Sequence, residues 1–577
     1  MKRVLLILTL PIFTLAFRGD IPGEGKYPKN YFRSPVDHSI LLSGTFGELR
    51  PNHFHAGIDI KSSKGVSGDL LYATADGYIA RIKVDASGYG HSLYINHPNG
   101  YTSVYAHLKK YADEIEAYVK KQQYAQKSFA VDLMLAPDKF PVTQGQLVGQ
   151  MGNSGASNGA HLHFEIRDTK TQNPINPLLF GFHVMDHVAP KMHALKVYSL
   201  NDQREESGTR SFALYQSNGN YRIKNDTLTV DAWHAGFGLK VYDHFDRVSN
   251  WNGIYALNMY QNDSLIYEFD LERFSFDETR YINAHCDYVE RVTRNSYYNR
   301  CYTLPGNKLS IYNHQVNYGV VDLHKDKPSK ITMVASDVAG NESKLEFWVK
   351  RGDIAAAKLV SDEPYNYLLP YDEGNVIQTE GLYLHLSKGT LYENLYLKYQ
   401  VTPERSSGYY SHIHHLHDSK TPVHKYFDIG IRPTVSIPAE LKPKVFVAYC
   451  VGKTTMNCGG TWEDGFLRTK VRAFGNYCIM ADEVAPTIKP VIFTYNMRGY
   501  SRMKFRIGDN ISTAPNVQGL TFEARVDGKW ILMEYDKKTG TITHYFDEHI
   551  GKGTHELKLV VKDAVGNEKV FEKKFVR

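Results

Sequence analysis

At 577 residues the chain is too long for one hydrophobic core and divides into about three to five domains. Apolar residues at 42% and charged residues at 23% are ordinary for a globular chain, and a net charge of +6 spread over scattered Lys and Arg gives no nucleic-acid footprint. Aromatics at 13%, with 41 tyrosines among them, favour half-buried pleated surfaces and hence a mainly β fold.

Lys2 and Arg3 precede an apolar run from Val4 to Phe17. It is short for a bilayer span, and its basic-then-apolar order is that of a secretory signal, with Thr14 and Ala16 placing cleavage after residue 16. No cysteine follows the run and no other apolar stretch approaches membrane length. The expected location is therefore exported: periplasm, cell envelope or outer surface, with no transmembrane segment in the mature chain.

From Leu41 to about Gly181, short alternating runs are split by turn signals such as Asp76-Gly77, Ser87-Gly88 and Pro98-Asn99-Gly100. This region, residues 17–185 with a core at 45–181, predicts an open antiparallel β-rich domain. Lys109 to about Lys127 is polar and rich in Lys, Glu, Ala and Gln, which predicts a helix inside an insertion spanning 109–140.

In His55-Ala56-Gly57-Ile58-Asp59-Ile60, alternation places His55, Gly57 and Asp59 on one face, and Gly57 leaves room there for an ion or substrate. Tyr105-Ala106-His107-Leu108 ends another alternating strand. In His161-Leu162-His163-Phe164-Glu165-Ile166, the two histidines and Glu165 share the face opposite Leu162, Phe164 and Ile166. Two imidazoles and one carboxylate form a three-ligand zinc set with a fourth position open for water, the pattern of a catalytic rather than a structural site. His53 precedes His55 by two residues but pairs badly with Asp59. His91 and His97 read as polar surface, His412 to His417 as an exposed loop, and Ser154 as a turn residue in Gly152-Asn153-Ser154-Gly155.

His55-x-Gly57-x-Asp59, Tyr105-Ala106-His107-Leu108 and His161-Leu162-His163-Phe164 resemble, in order, the three motifs of the lysostaphin/LytM-type zinc endopeptidases. Thr74-Ala75-Asp76-Gly77-Tyr78-Ile79 and Gly145-Gln146-Leu147-Val148-Gly149 extend the resemblance, which covers about a quarter of the chain. It implies Zn2+ held by His55, Asp59 and His163, with His107 and His161 beside the attacking water and the scissile carbonyl. The implied activity is hydrolysis of peptide bonds in peptidoglycan stems or cross-links. Two rivals stay open: a non-hydrolytic activator of other wall hydrolases, and a serine hydrolase built on Ser154.

Past Pro190 an internal repeat appears. Val188-Ala189-Pro190 and Val484-Ala485-Pro486 each open a segment, and the two segments close on Ser336-Asp337-Val338-Ala339-Gly340-Asn341-Glu342 and Lys562-Asp563-Ala564-Val565-Gly566-Asn567-Glu568. An Asp-x-x-Gly-Asn turn before a last edge strand predicts immunoglobulin-like sandwiches at 186–352 and 483–577, with a further sandwich at 353–482. These modules are expected to act as spacers or to dock glycan or protein. Five cysteines (Cys286, Cys301, Cys450, Cys458, Cys478) suggest Cys286–Cys301 and Cys450–Cys458 as short loops if oxidised, with one left over.

Overall fold

The computed structural model describes residues 25–354, 364–403, 406, 408–452 and 454–577. The expected signal segment, residues 1–16, lies outside them. Among the described residues no helix is long and apolar enough to cross a membrane.

The expected mainly β architecture is what the chain adopts. The first domain is built on an antiparallel sheet whose strands run in the spatial order Leu42–Gly44, Ile58–Lys61, His161–Asp168, Tyr101–Ala106, His91–Asn96, Gly77–Val84 and Val131–Met134. A smaller sheet of Leu70–Tyr72, Leu147–Met151 and Leu108–Tyr111 accompanies it. Leu162, Phe164 and Ile166 are completely buried in one core with Ile58, Ile60 and Tyr105. Each such side chain contributes roughly 1.5–3 kcal/mol relative to exposure. That core holds the strands in register, and the register brings the three motifs together: His163 lies opposite Asp59 on one side and Ala106 on the other.

One boundary of this domain changes. Its core starts well before residue 45, because Tyr27, Phe32, Val36 and Ile40 join it. It is also not sealed from the next module: Phe46, Phe54 and Ala56 belong to that module's core, with Phe274 ringed by Phe46 at 4.9 Å and Phe54 at 5.5 Å.

Residues 191–351 form a sheet of Glu206–Ala213, Lys191–Leu200, His234–Tyr242 and Asn299–Arg300, together with a larger one that includes Ala256–Gln261, Ser329–Ser336 and Glu342–Arg351. Residues 367–481 supply three further sheets and residues 487–576 two. The last two modules are stitched together, since Ser512–Thr513 adds in parallel to Thr454–Asn457. None of the five cysteines is in a disulfide. Neither expected loop forms; Cys450 instead faces Cys478 across adjacent strands, with sulfurs 3.6 Å apart. His412 to His417 is no exposed loop, because Ile413–Leu416 is a strand and His414 is buried against the Tyr399 hydroxyl at 2.9 Å.

The insertion carries the expected helix, with a later start. Lys109 to Tyr111 is strand, and the helix spans Asp113–Gln126. Val131–Met134 then becomes the sheet edge, four strand spacings (about 19 Å) from His161–Asp168. The helix serves as a platform for the last module rather than packing on the site histidines. Tyr124 stacks on His549 at 3.8 Å, meets Trp530 edge-on and donates to Asp547 at 2.8 Å, while Lys120 pairs with the same carboxylate at 2.8 Å. Tyr124→Ala combined with Lys120→Glu should free the module. Small-angle scattering would then give a larger radius of gyration with unchanged secondary structure; an unchanged radius would mean that other contacts hold it.

Candidate functional site

The first histidine is set by a hairpin. Pro51 and Asn52, the latter at φ +66°, turn Leu49–Arg50 back onto His53–Phe54, a turn that suits proline followed by a left-handed-tolerant residue. His55 follows this hairpin and precedes the strand Ile58–Lys61, so strand alternation is not what aims it. Its Nδ1 donates to the Thr45 carbonyl at 2.7 Å, which leaves Nε2 unprotonated and pointing at His163 Nδ1 (2.9 Å) and Asp59 Oδ1 (3.0 Å). Gly57 does not make room for an ion: a Cβ there would lie 2.3 Å from the Phe164 carbonyl, so glycine allows the neighbouring strand to approach.

His163 is fixed the same way. Nε2 donates to Glu165 at 2.8 Å, leaving Nδ1 free 3.0 Å from Asp59 Oδ1. Glu165 is in turn held by Arg167 at 2.5 Å and by the Tyr89 hydroxyl. The expected outward face of this strand is therefore covered, with Glu165 fully buried and His163 4% exposed. Asp59 gives its other oxygen, Oδ2, to Arg50 at 2.6 Å, so only Oδ1 faces the two rings.

Two ring nitrogens and one carboxylate oxygen thus converge, buried and within 4.8 Å of one another. Three electron-pair donors at such range repel unless a cation lies between them. A tetrahedral ion with bonds of about 2 Å spaces its ligands roughly 3.3 Å apart, so donor set and spacing fit a zinc-like ion. Asp59 and Glu165 together favour positive charge at His163, whereas burial keeps His55 neutral. Burial alone would lower His163, but its hydrogen bonds to Asp59 and Glu165 and their charges push it up to about 9. Burial drives His55 down to about 4.

Two more imidazoles border the trio. His107 occupies the corner between Tyr101–Ala106 and Leu108–Tyr111 at φ +62°, an uncommon conformation for a side-chain-bearing residue. Gly152 permits that corner, since a Cβ there would lie 2.3 Å from the Lys109 amide nitrogen and 2.6 Å from the His107 carbonyl. His107 Nδ1 donates to the Ser154 carbonyl at 2.9 Å, and burial, then the charges of His163 and His161, push it down to about 3. His161 Nδ1 is fixed by the Gly159 carbonyl at 3.0 Å, and its Nε2 lies 3.5 Å from Asp59 Oδ1. The His107 and His161 rings are 4.9 Å apart. All four imidazoles donate through one nitrogen to a fixed oxygen, leaving the other a base.

The remaining candidates fall away from this cluster. His53 is exposed and bonds the Pro51 carbonyl at 2.9 Å. Ser154 Oγ accepts from the His91 amide at 2.9 Å, as a turn residue does. His91 and His97 are not polar surface: the first packs on Tyr111 and Phe129, and the second is 5% exposed and bonded to Asp76 and Ser103. Arg50, Tyr89 and Arg167 were not foreseen. Glu165 shares the histidine face by alternation, so its role was readable; Arg50 carried no signal. The last module reaches this rim, where Lys538 donates to the carbonyls of Asn153 (2.6 Å) and Ser157 (2.9 Å), on the loop that anchors both His107 and His161.

Residues 53–129 and 132–177 match the model of peptidase family M23, and residues 366–482 that of a Zu5-like domain. An uncharacterized metalloprotease of Haemophilus influenzae is 28% identical over 163 residues, 26% of this chain and 28% of its own length. The murein hydrolase activator NlpD of Escherichia coli is 32% identical over 152 residues, 26% of this chain and 32% of that protein. The chain thus spans about a third of the length of these curated relatives. Among solved structures, the catalytic domain of the prophage-encoded M23 protein EnpA from Enterococcus faecalis aligns at 24% identity, covering 27% of this chain and 97% of that one, with a TM-score of 0.19.

Proposed function

From a chain whose residues 53–177 form a peptidase family M23 domain, we propose an exported zinc-dependent endopeptidase that hydrolyses peptide bonds of peptidoglycan stems or cross-links. The observation that carries this reading is the buried convergence of His55 Nε2, His163 Nδ1 and Asp59 Oδ1, with two further oriented imidazoles at its edge.

His55, Asp59 and His163 hold the metal. Zinc there supplies Lewis acidity toward water and a peptide carbonyl. Glu165 keeps the His163 proton on Nε2 and makes Nδ1 the better donor. Arg50 occupies Asp59 Oδ2 and so leaves Oδ1 as the oxygen that would meet a metal. His107 and His161 bring their unprotonated nitrogens to the same place, where a ring can take a proton from the attacking water and, once protonated, donate to the developing oxyanion or the leaving amine. The basic-then-apolar run from Lys2 to Phe17 supports export to the periplasm or cell envelope. The modules beyond residue 186 then act as spacers or docking units for glycan or protein.

The test is digestion of purified peptidoglycan followed by mass analysis. Fragments with new free peptide termini, abolished by a chelator and restored by zinc, support hydrolysis. The likeness to NlpD favours a second reading, activation of another wall hydrolase; it predicts no fragments from this chain alone and release only when a second hydrolase is added. Glu165→Gln should weaken zinc binding roughly 10- to 100-fold, read by competition with a chromophoric chelator. Unchanged affinity would remove Glu165 from the site.

A further inference from the structure

The repeat has a feature its signature turns conceal. Asp186, Asp243 and Asp337 bring carboxylate oxygens within 4.8 Å of one another, and so do Asp482, Asp509 and Asp563. The two trios are built alike. Asp186 and Asp482 each lie four residues before the module's opening proline. Their Oδ1 atoms accept from the amides of Val188 and Val484 at 3.1 and 3.0 Å. Their carbonyls accept from Asn341 and Asn567 at 3.3 and 2.9 Å. Asp243 and Asp509 directly follow the strands His234–Tyr242 and Arg502–Gly508. Asp337 and Asp563 open the Asp-x-x-Gly-Asn turns, each bonded to its turn asparagine at 2.8 Å.

Among the described residues neither trio has a Lys or Arg within ion-pair range; His187, which pairs with Asp246, is the one favourable charge beside Asp186, and Asn510 donates to Asp482 Oδ1 at 3.2 Å. Asp243 is 1% exposed, yet its Oδ1 has no hydrogen-bond partner, and Asp186 Oδ2 and Asp509 Oδ1 are buried without one as well. A buried polar atom left unpaired costs on the order of 1–3 kcal/mol, and more when charged. Chance could strand one such atom. A stranded oxygen at the same place in two modules, Asp243 Oδ1 in one and Asp509 Oδ1 in the other, marks a ligand set lacking its ion. Burial and then the neighbouring carboxylates push Asp243 up to about 9.

We propose that each trio binds one calcium ion, tying the segment that enters the module to the ends of two of its core strands. All donors are hard oxygens, and the free edges suit an ion that takes six to eight oxygens in flexible geometry, with carbonyls and water completing the shell. Magnesium, which demands near-ideal octahedral geometry, fits less well. Zinc belongs to the nitrogen-bearing site of the first domain. The inference does not depend on hydrolysis, because these carboxylates lie outside the histidine cluster.

The experiment is equilibrium dialysis of the full, zinc-loaded chain against radioactive Ca2+ through millimolar concentration, with Mg2+ as competitor, alongside thermal melting. Wild type should bind two Ca2+, Asp243→Asn and Asp509→Asn one each, and the double variant none. Calcium should raise the melting temperature of wild type but not of the double variant. Asparagine is nearly isosteric, and if the double variant fails to fold, the two single variants still decide the matter through their stoichiometry. No calcium bound by wild type, or undiminished binding in the variants, overturns the proposal. So does a rise in calcium-free stability in the variants with no calcium bound to wild type, which would make the trios carboxyls that share protons.

Discussion

His163→Ala should cost the purified chain most of its zinc, whereas His53→Ala should keep it. His163 contributes a buried nitrogen 2.9 Å from His55 Nε2 and 3.0 Å from Asp59 Oδ1, so its loss removes one of three ligands and leaves Asp59 facing a void. His53 is two residues from His55, but its ring points to Pro51 in solvent. Elemental analysis after dialysis against a weak chelator measures the outcome as metal per chain. Wild type and His53→Ala are expected near one, and His163→Ala near zero. Equal loss in both variants would mean that the ion sits elsewhere.

His107→Ala and His161→Ala should do the reverse: they retain zinc and lose turnover. Neither ring belongs to the converging trio, yet both are anchored through Nδ1 by backbone carbonyls with the other nitrogen left basic. Removing a proton-transfer or oxyanion-stabilising group costs roughly 10²- to 10⁴-fold in rate, or about 3–5 kcal/mol of barrier. Turnover of a defined cross-linked peptide, measured beside metal content, separates this from loss of the ion. Full activity in either variant removes that residue from the mechanism. Ser154→Ala should retain zinc and lose little activity, because its hydroxyl is occupied by the His91 amide.

The five central residues were legible in the sequence because each lies in a local phrase: period-two alternation for His161 and His163, motif spacing for His55, Asp59 and His107. What aims them was not. Thr45 and Ser154 act through contacts across strands and loops, and Arg50 reaches Asp59 from a separate hairpin. Polarity also misled where tertiary packing overrode it. His91, His97 and His414 look solvated, yet each is enclosed by aromatic or polar partners. The helix was legible by composition, but its partner lies more than 400 residues away, at Asp547 and His549, where no local pattern reaches.

That distant contact makes the last module a ligand tethered to its own receptor. A tether of this kind replaces bulk concentration with an effective one, commonly millimolar, so a weak surface suffices to keep the pair together. Its occupancy is then indifferent to dilution, and only competitors or solvent can shift it. The Lys120–Asp547 pair is partly exposed and screened by salt, while the Tyr124–His549 stack is not. Raising ionic strength is therefore expected to loosen the Lys538 side chain from the loop behind His107 and His161, to the same degree in every copy of the chain.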